Sequence, residues 1–147
     1  MIDKKYIGYT LSPVSWDVEK GRIAFFAKVI GLADPIHTDE AAAKAAGYRG
    51  IVAPPTFIFG ASGDTGETMQ LIEKLEIDLG KVLHGEQRFD YHAPVCAGDT
   101  LRFESRVSDI YDKKKGALEF VVNESKVTNQ LGERVADLHS VLVVRHA

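Results

Sequence analysis

A chain of 147 residues with 45% hydrophobic and 27% charged side chains can bury one core but not two ordinary ones, so residues 1–147 are read as a single domain. A formal net charge of -3 and a pI near 5.9 give no footprint for gripping a polyphosphate backbone, which argues against nucleic acid as a partner. No apolar run reaches the ~20 residues of a membrane helix, no apolar signal core follows Lys4 and Lys5, and Cys96 is the one cysteine, so an intrachain disulfide and a thiolate metal cage are excluded; a cytoplasmic protein with no membrane attachment is expected.

Residues 17–30 place Ile23, Phe26, Ala27 and Ile30 at i, i+3, i+4, i+7 spacing, with Asp17 as a candidate N-cap and Gly31 just past the end. This predicts an amphipathic helix, with Trp16, Phe25 and Phe26 as core or interface anchors. A second, short helix is predicted after His37, capped by Thr38 or Asp39 and stopped at Gly47. Residues 51–59 carry prolines where a helix begins and an unbroken apolar face after them, as expected of a buried central helix. Asp64-Thr65-Gly66-Glu67 reads as a capping box opening a further helical stretch through Leu75, while Gly60, Gly63 and Gly66 read as a flexible loop.

From Lys81 the texture changes to alternating, β-branched and aromatic residues, which predicts strands over 82–92, 100–112, 117–128 and 135–144. Asp112 to Gly116 and Asn129-Gln130-Leu131-Gly132 supply the turns, the first with a charged tip at Lys113, Lys114 and Lys115. Helices first and strands after give an α+β class, with a long antiparallel meander packed on helices from the N-terminal half. The open edges of such a sheet predict pairing with a second subunit.

Chemistry concentrates at Gly31-Leu32-Ala33-Asp34-Pro35-Ile36-His37, which puts an imidazole at a loop-to-helix junction, within reach of a bound ligand and suited to shuttling a proton. Asp34, three residues earlier, is either a turn residue bonding local amides or a carboxylate partner for His37. Asp39 is an N-cap or first-turn carboxylate. His84 and Glu86, two apart on a strand, share a face and are candidates to line a ligand channel. Cys96 has no base nearby in sequence and reads as a small packed residue. The five histidines offer no ligand spacing, so neither a metal nor a cofactor is expected.

With Gly31, Pro35, Ile36 and His37 in register with a Gly-Asp-x-Asn-Pro-Leu-His signature, the segment resembles the MaoC-like, (R)-specific enoyl-thioester hydratases. Leu32 stands where that family carries its catalytic aspartate, and Asp34 where it carries asparagine. Tyr48-Arg49-Gly50-Ile51-Val52-Ala53-Pro54-Pro55-Thr56-Phe57 and residues 83–101, which include His84-Gly85-Glu86-Gln87 and Ala97-Gly98-Asp99-Thr100-Leu101, are similar to the N-terminal, fatty-acid-synthase-like dehydratase type, a likeness spanning roughly residues 10–145.

The resemblance implies a hotdog fold and a substrate held as a thioester of coenzyme A or acyl carrier protein. It implies a reaction that adds water across a trans-2-enoyl bond or removes it from an (R)-3-hydroxyacyl chain. Family members use an aspartate and a histidine on one water, and a backbone amide at the central helix start for the enolate-like oxygen. Here that start reads Pro54-Pro55-Thr56, and proline has no N–H. The catalytic candidates are His37, which matches the motif, and Asp34, which would supply the missing carboxylate from a shifted position; the substrate-binding candidates are Ala53, Pro54 and Thr56 at the helix start and His84 and Glu86 on the strand. The leading reading is a dehydratase or enoyl-CoA hydratase, or a subunit of one, working as a homodimer or paired with a subunit bearing the intact motif. The alternative, motivated by Leu32, is a noncatalytic acyl-thioester-binding subunit of a heteromeric dehydratase. A hotdog acyl-CoA thioesterase comes last, because no carboxylate lies between Thr56 and Ser62.

Overall fold

The computed structural model describes residues 1–146, and its elements follow from the patterns above with a few instructive shifts. Val14, Trp16 and Val18 alternate toward the core, and this period-2 pattern makes a short strand, β1 (Val14–Asp17), before the first helix α1 (Lys20–Val29). Trp16 therefore stands on a strand. Asp17 does not cap the helix; its Oδ1 accepts from the Thr100 hydroxyl at 2.8 Å. Ile23 and Ala27 are fully buried as the helical spacing requires, whereas Ile30, past the last turn, is exposed. The short helix α2 (Glu40–Ala45) starts on Asp39, whose Oδ1 accepts the amides of Ala41 and Ala42, at 2.9 and 3.4 Å.

The central segment becomes helical later than its prolines suggest. Residues 51–53 are extended, because Ala97 N donates to Ile51 O and Ala53 N to Val95 O, both at 2.8 Å, and this pairing captures the backbone first. Helix begins as a 3-10 turn at Phe57–Phe59, continues as α3 (Gly60–Asp64), breaks at Gly66 with φ +74°, and resumes as α4 (Glu67–Lys74). The anticipated capping box does not form. Asp64 instead accepts from Trp16 Nε1 at 2.9 Å and pairs with Arg22 at 2.5 Å, and the cap position falls to Gly66, which has no side chain to offer. Gly60 and Gly63 belong to the helix, not to a loop. A Cβ at exposed, helical Gly63 would meet nothing within 4 Å. Gly63→Ala is expected to stabilise the fold by about 0.5–1 kcal/mol, seen as a raised urea midpoint at constant slope.

Four long strands follow, β2 (Val82–Tyr91), β3 (Thr100–Lys113), β4 (Leu118–Thr128) and β5 (Arg134–Arg145), all paired antiparallel in the order β1-β3-β4-β5-β2. Only β3, β4 and β5 form a meander. β2 crosses over to lie outside β5, so the sheet is not the simple meander expected, and its edges are β1 and β2. The inner face packs on the central segment in two apolar clusters. One joins Trp16, Phe57, Ile58 and Ala61 to Leu101, Phe103, Val127 and Leu138; the other joins Leu71 and Leu75 to Val107, Ile110, Val121 and Leu142. A curved antiparallel sheet on a central helical segment is the α+β hotdog arrangement. No helix among the described residues is long and apolar enough to cross a membrane.

Candidate functional site

His37 is positioned by its own short turn. Asp34 caps the 3-10 turn Pro35–His37, its Oδ1 accepting the Ile36 amide at 3.0 Å, and Pro35 pre-sets the first dihedral. The turn brings the His37 ring inward to 8% exposure, with Nδ1 2.7 Å from the Val52 carbonyl oxygen. A carbonyl only accepts, so Nδ1 carries the proton and, in the neutral ring, Nε2 is left as the basic nitrogen. Val52 N donates to Ile36 O at 3.0 Å, which staples the two segments together. Leu32 follows α1, half-exposed, its amide donating to Ala27 O at 2.9 Å.

The staple sets His37 beside the start of the central segment, where the backbone offers very few donors. The Ala53 N–H is taken by Val95 O, Pro54 and Pro55 have none, and the Phe57 N–H turns back to Pro54 O at 2.9 Å. Among the described residues this leaves the N–H of exposed Thr56 without an acceptor. Pro54 is fully buried and Ala53 nearly so. The Tyr91 hydroxyl donates to Pro55 O at 2.5 Å, and burial pushes its pKa up, so it stays a neutral donor holding this corner. Nothing in the pattern singled out Tyr91; it is one more aromatic at a strand end, and only the fold carries it to the prolines.

His84 and Glu86 lie further along the same segment. Gly85 interrupts β2 with a bulge, so His84 is in register with Leu142 and Glu86 with Val141, one step out of the alternation expected for residues two apart. A Cβ at Gly85 would come within 2.6 Å of Val143 Cγ2, which explains the glycine. The His84 ring packs edge-on against Phe59 at 5.6 Å, and the Glu86 carboxylate lies 3.9 Å from His139 Nε2. Both border a cavity of about 50 Å³ between the sheet and the helical segment, lined also by Ile58, Phe59, Glu67, Asn123 and Ser140. The fold thus ties His37 to Val52, just before Ala53, Pro54 and Thr56 in the chain, and sets His84 against Phe59 at the first helical turn, while His37 is not part of the cavity lining. Among the described residues no group of three or more His, Cys, Asp or Glu side chains converges as a metal site.

The loop before β3 is braced by Asp99, which is 1% exposed. Its carboxylate accepts from Arg49 at 2.6 and 3.0 Å, from the Cys96 amide at 2.9 Å and from Gln130 at 3.0 Å. Burial alone would raise its pKa, but these donors together outweigh it and hold the carboxyl below its ordinary range. Read in sequence, Gly98-Asp99 is an ordinary turn; in the fold it fastens residues 96–99 to the Tyr48-Arg49 corner next to the extended residues 51–53.

Residues 5–138 match the family model described as the FAS1-like dehydratase domain region. A UPF0336 protein of Saccharopolyspora erythraea is 36% identical over 145 residues, covering 98% of this chain and 92% of that protein. Among solved structures, the C-terminally truncated HadBC (3R-hydroxyacyl-ACP dehydratase) complex of Mycobacterium tuberculosis superimposes with a TM-score of 0.80 at 27% identity, over 94% of this chain and 96% of that one. A MaoC-like dehydratase gives 0.83 at 26% identity, with 97% of this chain matching 43% of that longer one.

Proposed function

The chain belongs to the family of FAS1-like dehydratase domain regions, and from that premise we propose that it is a unit of an (R)-specific 3-hydroxyacyl-thioester dehydratase, acting in either direction on acyl-CoA or acyl-carrier-protein substrates in the cytoplasm. The observation that carries this reading is the His37 ring, fixed through Nδ1 on Val52 O with Nε2 free beside the helix start. In the hydration direction Nε2 takes a proton from water, whose oxygen bonds C3. The double-bond electrons move onto the thioester oxygen, and the protonated His37 ring returns its proton to C2 of the resulting enolate; dehydration is the reverse. The Thr56 N–H is the donor available to that oxygen.

One carboxylate is missing from this end. Leu32 fills the family's aspartate position, and Asp34 already spends Oδ1 on the Ile36 amide. This favours a second reading, in which the chain binds the acyl thioester and a partner unit bearing the complete motif does the chemistry. The two-subunit HadBC dehydratase and the longer MaoC-like dehydratase are consistent with such pairing. Both readings are tested by following trans-2-enoyl-CoA hydration with the purified chain, alone and after co-expression with a motif-bearing hydratase subunit. Turnover by the pure chain is expected under the first reading. Turnover only in the mixed complex establishes the second, and release of free thiol from acyl-CoA would replace both with a thioesterase.

A further inference from the structure

The core is divided by polar side chains where a greasy interior would be expected. Across the inner face, Ser105 on β3 faces Ser125 on β4 with hydroxyls 2.6 Å apart. One step along, Asn123 on β4 neighbours Ser140 on β5, whose hydroxyl is 2.5 Å from Gln87 Oε1 on β2. This belt runs between the two apolar clusters. Above it α4 lowers Glu67, only 6% exposed. Glu67 Oε1 and Asn123 Oδ1 are buried with no hydrogen-bond partner, and both line the cavity that Phe59, Ser62 and His84 also border. Burial pushes the Glu67 carboxyl above its ordinary range, opposed by the Ser105 hydroxyl.

Two buried acceptors without donors cost about 1–3 kcal/mol each unless something fills the space beside them. What fills it must therefore bring a hydrogen-bond donor. The cavity of about 50 Å³ has room for about three or four waters, or for the last few atoms of a chain. Of its lining, Phe59 and Ser62 lie on the segment that begins at Thr56, with Ser62 about 10 Å along it by helical rise. A chain whose thioester sits at Thr56 can follow the segment and end there. An ammonium would carry a far larger desolvation cost than a neutral hydroxyl on entering so small a space, and the hydroxyl's one O–H can donate to one of the two acceptors while a remaining water serves the other.

We propose that this cavity receives the distal end of the acyl chain and selects thioesters whose chain ends in a hydroxyl group over chains of the same length that end in a methyl group. The inference rests on the acyl-thioester reading of the preceding subsection and adds the substrate class. A site built to hydrogen-bond a hydroxyl rejects the analogue lacking it, because its own buried polar groups are then left unpaired.

The test is calorimetric titration of the full-length chain with decanoyl-CoA and with 10-hydroxydecanoyl-CoA. The hydroxylated ligand is expected to bind at least about tenfold more tightly. Glu67→Leu should erase that preference, and Glu67→Gln, which keeps an acceptor and the shape, should retain most of it; circular dichroism verifies that each variant is folded. Equal affinities, or a preference for decanoyl-CoA in the unaltered chain, would overturn the inference and leave the acyl-thioester reading standing. If neither thioester binds, the acyl-thioester reading falls and takes the inference with it.

Discussion

His37→Ala is expected to lower hydration turnover by about 10²–10⁴, the usual loss when a positioned acid–base group is removed. The measurement is kcat on a trans-2-enoyl-CoA, made on whichever assembly is active, the pure chain or the mixed complex. Alanine also removes the Nδ1 bond to Val52 O, so a fall in rate could reflect a loosened corner instead of a lost base. His37→Asn separates the two. Its amide can still donate to the Val52 carbonyl, but it has no nitrogen able to accept a proton in place of Nε2. Turnover should collapse in both variants, while KM and thermal stability stay near the original values in the asparagine variant. Unchanged turnover in His37→Ala would remove His37 from the chemistry; seen in the mixed complex, it would leave the chain as a binding unit.

Asp99→Ala should cost about 3 kcal/mol or more of folding stability, a large share of the total for a domain of this size. The carboxylate is almost wholly buried, and its loss strands the Cys96 amide, the Gln130 amide and the Arg49 guanidinium together. Arg49 and Gln130 are exposed enough to turn to water, so most of the cost comes from the buried Cys96 amide and the vacated space. The effect has a definite pH signature. Because the folded-state pKa of Asp99 is depressed, its contribution is fully present above the unfolded-state pKa and is lost as pH falls through the folded-state value. Urea titrations of the original chain and of Asp99→Ala should therefore differ by a constant amount near neutrality and by a smaller amount in acid. A gap that widens as the pH falls would contradict this account.

The four long strands were legible because β-branched and aromatic residues run through them, with the clearest alternation in β3 from Leu101 to Val107, and sheet pairing rewards that alternation wherever one face is buried. The Asp34–His37 turn and the Asp39 cap were equally readable, since both depend on side chains bonding amides two or three residues away. Where a local signal competed with a distant partner, the distant partner won. Asp17 had Thr100 within reach, and Asp64 had Trp16 and Arg22, so neither stayed to cap a helix. Residues 51–53 found strand-like partners at 95–97 before their prolines could start a helix. The bulge at Gly85 could not be inferred from a lone glycine, because what forbids a side chain there is Val143 on a neighbouring strand.

The sequence by itself determined the class of the fold, the short-range geometry around His37 and the family, because each depends on residue type and spacing along the chain. Only the tertiary structure decided that Nδ1 is the occupied nitrogen of His37, that Thr56 keeps a free N–H, that Asp99 is a buried clamp, and that Glu67 and Asn123 face a common cavity. The physical reason is the same in each case. Whether a polar group is satisfied or left available depends on what lies opposite it, and here the groups opposite come from strands and turns 15 to 50 residues away.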